Sequence, residues 1–355
     1  MPNFLINSDK KLKNIINDLK SSQYLGIDTE FIRESTYFPI LALLQISDSK
    51  SSYCIDILEI TQNKLLADLF TDKKIVKIMH SSRQDLEVIF NYFNCYPKNI
   101  FDTQVASNLI TDNLNISYAN IVKNFFNIEL KQGSWRTDWL KRPLSNEKLE
   151  YACNDVKYLI PLYKILNDKL DILDRLNWFN EEQRLDLEKE NVIIDPTNSW
   201  KKINIPSTLS KEQLSKLMFL SEWREKKAIS EDMPKRWVFS DSELLKIISA
   251  NPDTINTVLG NLKHQMNKND KSKIISYVNS FKKENHKIKK NNFNASLYNK
   301  RLNRCHKALE KVSIKYNINQ TLIANKRDID FFARNNSEVK FLNGWRFKIF
   351  GKLVQ

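Results

Sequence analysis

Two carboxylates stand inside an apolar run, Tyr24-Leu-Gly-Ile-Asp-Thr-Glu-Phe31, and a strand that buries acids sharply limits what the chain can build around them. Residues i and i+2 of a strand point to the same side, so Asp28 and Glu30 face one way. A second set lies in Leu149-Glu-Tyr-Ala-Cys-Asn-Asp-Val-Lys-Tyr-Leu159. This stretch reads as a helix, in which the i, i+4 relation puts Tyr151 and Asp155 on one face. Asp85 opens a further helix with apolar positions at Leu86, Ile89, Phe90 and Phe93. Carboxylates gathered without positive charge repel one another, and one would have to keep its proton. Divalent cations remove that conflict, and an all-oxygen set suits hard ions such as Mg²⁺ or Mn²⁺.

Around these residues the pattern changes along the chain. Residues 4–19 read as a short lead-in and a helix. Strand-like runs follow at Tyr24–Ile27, Leu41–Ile46, Ser52–Ile57, Lys74–Met79 and Ile100–Asp102, with a helix at Arg83–Phe93 among them. Beyond residue 105 the periodicity is helical. Early strands followed by helices predict a mixed α/β domain with helices packed on a central sheet. Asp195-Pro-Thr-Asn-Ser199 breaks a charged helix and marks a boundary or linker. Ser210-Lys-Glu-Gln213 and Ser240-Asp-Ser-Glu243 carry the spacing of helix-opening capping boxes, so a bundle of short helices is expected from about 207 to 285. Residues 281–292 read as a basic linker, and the tail from 294 is again helical.

Composition removes several classes of function. The five glycines, at 26, 133, 260, 344 and 351, cannot assemble a Walker loop or a Gly-x-Gly-x-x-Gly fingerprint, so no nucleotide cofactor is expected. The four cysteines are widely spaced, with no Cys-x-x-Cys pair, which suggests neither a disulfide framework nor a zinc site. No apolar run reaches the ~20 residues that span a bilayer, and no apolar signal-peptide core opens the chain. A cytosolic protein with reduced thiols and no membrane partner is expected. The charge is split. Residues 1–196 hold 24 Lys+Arg against 28 Asp+Glu, whereas 197–355 hold 32 against 14. An acidic half joined to a strongly basic one fits an enzyme acting on a polyanion.

The motifs also carry a family resemblance. Asp28-Thr-Glu-Phe31 in a strand, His80-Ser-Ser-Arg-Gln-Asp85 at a helix start and Tyr151-xxx-Asp155 in a helix resemble the three motifs of the DEDD 3′–5′ exonucleases, and the tyrosine marks the DEDDy branch. Phe101-Asp-Thr-Gln104, Arg136-Thr-Asp-Trp-Leu-Lys-Arg-Pro-Leu144 and Leu149-Glu-Tyr-Ala152 are similar to the ribonuclease D family. Phe219-Leu-Ser-Glu-Trp-Arg-Glu225 is similar to the HRDC domain. The resemblance implies a ribonuclease H-like exonuclease domain over 1–170, a connecting helix and linker over 171–206, an HRDC domain over 207–285 and a second, diverged HRDC-like helical region over 286–355. It implies two divalent metal ions held by Asp28, Glu30, Asp85 and Asp155, with Tyr151 orienting the attacking water. The implied reaction is hydrolytic removal of nucleoside 5′-monophosphates from RNA with a free 3′ end, tRNA precursors among them.

Four further residues are weighed for substrate contact, each with a structural alternative. Gln45 either reaches the terminal nucleotide or is satisfied within the core. His80 either touches substrate or serves as a hydrogen-bonded histidine at a strand-to-helix turn. Arg136 and Arg142 either touch phosphate or, for Arg136, pair with Asp138. Asp102 reads as structural, capping the turn that follows it. Two rival functions share parts of this pattern: a 3′–5′ exodeoxyribonuclease with the same carboxylate set, and a catalytically silent RNA-binding adaptor using the basic half.

Overall fold

The computed structural model describes residues 3–130, 138–205, 209–280 and 295–355, and the chain forms two compact units. The first comprises Met1–Phe31, Leu41–Val192 and Lys289–Gln355; the second comprises Ile32–Ile40 and Ile193–Ile288.

The first unit is built on a six-stranded sheet. Its strands are β1 (Asn3–Ile6), β2 (Tyr24–Ile32), β3 (Ile40–Ser47), β4 (Ser52–Asp56), β5 (Val76–Met79) and β6 (Ile100–Asp102), in the order β1-β4-β3-β2-β5-β6. β1 is parallel to β4, and β2, β5 and β6 run parallel, while β3 is antiparallel to β4. The expected mixed sheet is present. The lead-in at the N-terminus is the strand β1, which sequence pattern does not announce. Four residues carry no readable alternation, and the strand exists because its backbone pairs with β4 from Asn3↔Ser52 to Ile6↔Ile55.

Helices cover this sheet. α1 (Asp9–Ser21) starts where Ser8 accepts from the Lys11 N–H, and buries Leu12, Ile16 and Leu19 at helical spacing. α2 (Asn63–Thr71), α3 (Arg83–Phe93), α4 (Thr103–Asn108) and α5 (Tyr118–Phe126) follow. α6 (Asn146–Lys157) and α7 (Leu159–Ile172) are nearly continuous. Pro161 has no N–H to offer the carbonyl four residues back, so the helix breaks at Tyr158 and restarts. α8 (Leu176–Leu187) and the short α9 (Lys189–Val192) end this stretch.

The second unit is a bundle of α10 (Lys211–Ser230), α11 (Lys235–Val238), α12 (Asp241–Ser249), α13 (Ile255–Gly260) and α14 (Lys268–Ser280). Both expected capping boxes are formed, with Ser210 and Gln213 opening α10 and Ser240 and Glu243 opening α12. Leu217, Leu220, Phe239, Leu244, Ile248 and Ile274 fill its core. The segment between β2 and β3 belongs to this bundle: the Tyr37 hydroxyl donates to Glu225 at 2.6 Å, and the Tyr37 and Phe38 N–H groups donate to Asp232.

The tail returns to the first unit as α15 (Ala295–Tyr316), α16 (Gln320–Ile323) and α17 (Lys326–Ala333), followed by short helical segments at Lys340–Leu342, Gly344–Arg346, Phe347–Gly351 and Lys352–Val354. Cys305, Leu309 and Val312 of α15, with Phe341, Trp345 and Phe350, share one core with Ile78, Phe101, Leu109 and Leu166. The helical tail therefore completes the core of the sheet-bearing unit. Its C-terminal part is fastened by a buried ion pair in which Arg346 donates twice to Glu182, while the Trp345 indole N–H donates to the same carboxylate at 2.6 Å. Gly344 lies in the left-handed region at φ +56°, and the Glu181 carboxylate occupies the space a Cβ would need. No helix among the described residues is long and apolar enough to cross a membrane.

Candidate active site

Strand β2 and helix α6 bring the sequence motifs together. Asp28 and Glu30 of β2 and Asp155 of α6 each present a carboxylate oxygen within 4.8 Å of the others. Close packing of α6 on the sheet makes this possible. Gly26 is two residues before Asp28, and a Cβ there would lie 2.5 Å from the Ser47 hydroxyl and 3.0 Å from the Val156 carbonyl. The Ser47 hydroxyl donates to that carbonyl at 2.8 Å and ties β3 to the helix next to Asp155. Absence of a side chain at position 26 thus sets the distance between the two motifs.

Asp85 lies outside the triangle, at the start of α3, where its carboxylate accepts from the Thr29 hydroxyl. Thr29 stands between Asp28 and Glu30, so one tripeptide supplies two acids and orients a third. The turn into α3 is held by Asp102. Its carboxylate accepts from the N–H groups of Ser81 and Ser82, from the Ser82 hydroxyl, and from the Gln104 N–H at the start of α4. Asp102 is structural, as the sequence suggests, and allows Ser81 its positive φ of 56°.

The electrostatics of the four acids are those of an uncompensated cluster. Burial, then the charges of Asp85, Asp155 and Glu30, push the Asp28 carboxyl well above the usual range. Burial and the charges of Asp155 and Asp85 push Glu30 up to about 9. Asp85 is raised to about 7 by burial, against the opposing Thr29 hydrogen bond. Asp155 is raised to about 7 by burial, against a hydrogen bond from Tyr151. None of the four forms an ion pair with a described residue.

Tyr151, one turn before Asp155 on α6, is hydrogen-bonded to it, and its ring packs beside Trp139 at 6.3 Å between centroids. Burial and the neighbouring acids Asp155, Glu30 and Asp28 push its phenol above the ordinary value, so it stays protonated at neutral pH. Pattern reading did not single out Tyr118. Its buried hydroxyl donates to the Asn154 carbonyl at 3.2 Å and accepts from the Tyr158 N–H at 3.1 Å, where α6 breaks. A hydroxyl aimed at another helix's backbone leaves no mark in periodicity. Cys54 of β4 and Cys153 of α6 also meet beside the acids, with sulfurs 3.1 Å apart as free thiols.

Two of the residues weighed for substrate contact are committed elsewhere, and a third is buried. The His80 ring nitrogens are used by the Thr103 hydroxyl at 2.9 Å and the Ile116 carbonyl at 3.0 Å. Burial holds its pKa below the usual value, and the ring serves the turn. Arg142 is drawn to the buried Asp56 carboxylate, at 2.6 Å from both Nε and Nη2, and also donates to the Trp139 and Ala42 carbonyls. Gln45 is wholly buried in β3 opposite Cys54, with no surface for a substrate in this conformation and no partner for either amide atom among the described residues. Arg136 lies outside the described residues.

The chain is similar to known proteins along most of its length. The 3′–5′ exonuclease family model matches residues 4–171, and the HRDC domain model matches residues 217–268. The chain is 32% identical to ribonuclease D of Bartonella henselae over 365 residues, which covers 99% of this chain and 89% of that protein. It is also 32% identical to ribonuclease D of Haemophilus influenzae, over 73% of this chain and 65% of that protein. The fold is similar to the crystal structure of Escherichia coli RNase D, with a TM-score of 0.83, 24% identity and coverage of 100% of this chain and 98% of that one.

Proposed function

The chain belongs to the ribonuclease D family and is a 3′–5′ exoribonuclease, and from that premise we propose that Asp28, Glu30, Asp85 and Asp155 hold two divalent metal ions, Mg²⁺ or Mn²⁺, at which the 3′ end of an RNA is hydrolysed. The products are nucleoside 5′-monophosphates, and the substrates are structured RNAs with a free 3′ end, tRNA precursors among them. The observation that carries this reading is the triangle of oxygens from Asp28, Glu30 and Asp155, half-buried with no cation from a described residue to match it. An all-oxygen donor set of this kind fits a hard divalent ion. When bound, such ions supply Lewis acidity toward the phosphoryl group and make an attacking water more acidic at neutral pH.

The chain's own groups do the positioning. Tyr151 keeps its proton and lies one helical turn from Asp155, so it orients a water by hydrogen bonding and does not act as a base. Thr29 fixes Asp85, and Gly26 lets α6 approach closely enough for Asp155 to join the β2 acids. The test uses a 3′-extended tRNA precursor labelled at either end, a matched single-stranded DNA and a circular RNA, each with Mg²⁺, Mn²⁺ or chelator. Early mononucleotide release from the 3′ label, a shrinking ladder from the 5′ label and silence in chelator are expected. Internal cutting of the circle, or equal degradation of DNA, overturns the reading.

A further inference from the structure

The positive charge of the chain is most concentrated in its last segment, where residues 289–355 hold 15 Lys+Arg against 4 Asp+Glu. Helix α15 organises much of it. Cys305, Leu309 and Val312 turn one face of the helix into the core. Lys300, Arg304, Lys307, Lys311 and Lys315 recur at steps of four, three, four and four residues, and all five are exposed. At 3.6 residues per turn they fall within an arc of roughly 80° directed away from the buried stripe, and at 1.5 Å per residue they form a row about 22 Å long.

Other helices of this protein neutralise such residues. Lys64 pairs with Asp68, Lys226 with Glu222, Lys227 with Glu231 and Arg334 with Asp330, all one turn apart. On α15 none of the four lysines forms an ion pair with a described residue. Arg304 donates to the carbonyls of Leu353 and Gln355, and the Lys315 ammonium lies 5.3 Å from the Tyr316 ring centroid. Glu310, the one acid in the helix, stands off the row. A line of like charges one turn apart repels itself, and the repulsion is relieved when a polyanion lies along it.

We infer that this face of α15 is a docking rail for the sugar–phosphate backbone of the substrate's folded body, away from the 3′ end that enters the acidic site. The inference rests on the reading of RNA as substrate. A linear row of cations matches one strand of phosphates, which carry charge but no sequence information, so the rail grips structured RNA without selecting its bases. A membrane surface is a poorer occupant. An interfacial helix needs its apolar face for the lipid, and that face of α15 is already in the core.

The test uses the full chain with Lys300, Lys307, Lys311 and Lys315 all changed to Glu; Arg304 is spared because it fastens the C-terminus. A four-Arg variant at the same positions and a control changing exposed Lys10, Lys20, Lys73 and Lys74 to Glu accompany it. For a hairpin RNA with a 3′ extension, the rail variant is expected to raise KM at least tenfold with kcat within threefold. Its salt slope should fall by about 0.7–0.9 for each phosphate that is no longer neutralised, while turnover of a trinucleotide stays within twofold. The Arg variant should behave like the parent. Unchanged KM and slope in the rail variant, or an equal change in the control, overturns the rail. Hairpin binding is also measured in chelator, so failure of the parent to cleave would count against the catalytic reading while Kd still decides the rail.

Discussion

Two acidic sites of the first unit are handled in opposite ways. Glu182 lies against Arg346 and the Trp345 indole, so its charge is matched by a guanidinium and its oxygens by N–H donors, all from within the chain. Asp85 is buried and Asp28, Glu30 and Asp155 are half-buried, with no matching cation among the described residues, and burial raises all four pKa values. A buried charge without a partner is strongly unfavourable, which is why such groups are normally paired or neutralised. The first cluster closes the fold of the C-terminal tail; the second leaves its compensation to come from outside. The difference separates a structural site from a functional one more sharply than burial alone does.

The largest effect that tests this contrast is on turnover. Asp28→Asn and Asp155→Asn are each expected to reduce RNA hydrolysis to background while raising the melting temperature of the metal-free protein at pH 8, because each removes a carboxyl whose ionised form the fold disfavours. Near-normal cleavage, or a lower melting temperature, breaks the comparison on the acidic side. Next is Tyr151→Phe, which removes one oriented hydroxyl and leaves the ring on Trp139. A fall in kcat of ~10²–10⁴ is expected, the usual range for such groups, with the melting curve unchanged. An unaltered kcat would reduce Tyr151 to a packing residue.

Arg346→Met sharpens the other side. It leaves Glu182 buried with an uncompensated charge, and urea titration should show a loss of about 3–5 kcal/mol, with residual activity tracking the folded fraction. A neutral result would mean the pair contributes little and the contrast is weaker than drawn. The smallest effect concerns pH without metal. A carboxyl whose folded pKa is raised binds its proton more tightly folded than unfolded. Its contribution to stability is present below the unfolded value of about 4 and is lost as pH rises through the folded value. Asp85 and Asp155 have lost theirs by about pH 7 and Glu30 by about pH 9, so in chelator the melting temperature should decline between pH 5 and 9. A divalent ion at a hundred times its Kd restores about 2.7 kcal/mol. Stability that rises with pH in chelator would contradict the raised pKa values.

Much of this molecule is legible in its residues. Alternation and apolar runs mark β2 to β6, the two capping boxes mark α10 and α12, and the i, i+2 and i, i+4 relations place Asp28 with Glu30 and Tyr151 with Asp155. These are local signals, set by the two-residue period of a strand and the 3.6-residue period of a helix. Contacts between segments far apart in the chain are different. Pairing of β1 with β4, the segment 32–40 joining the helical bundle, and the tail at 295–355 entering the core of the sheet-bearing unit all depend on surfaces that exist only once the chain is folded. The same holds for Arg142 and His80, whose polar groups suit a phosphate as well as a protein acceptor. Sequence determined which side chains could carry the chemistry, because their type and spacing are local properties. Tertiary structure alone decided which polar groups are consumed inside the fold and which are left without a partner, because a partner is defined by distance in space and not along the chain.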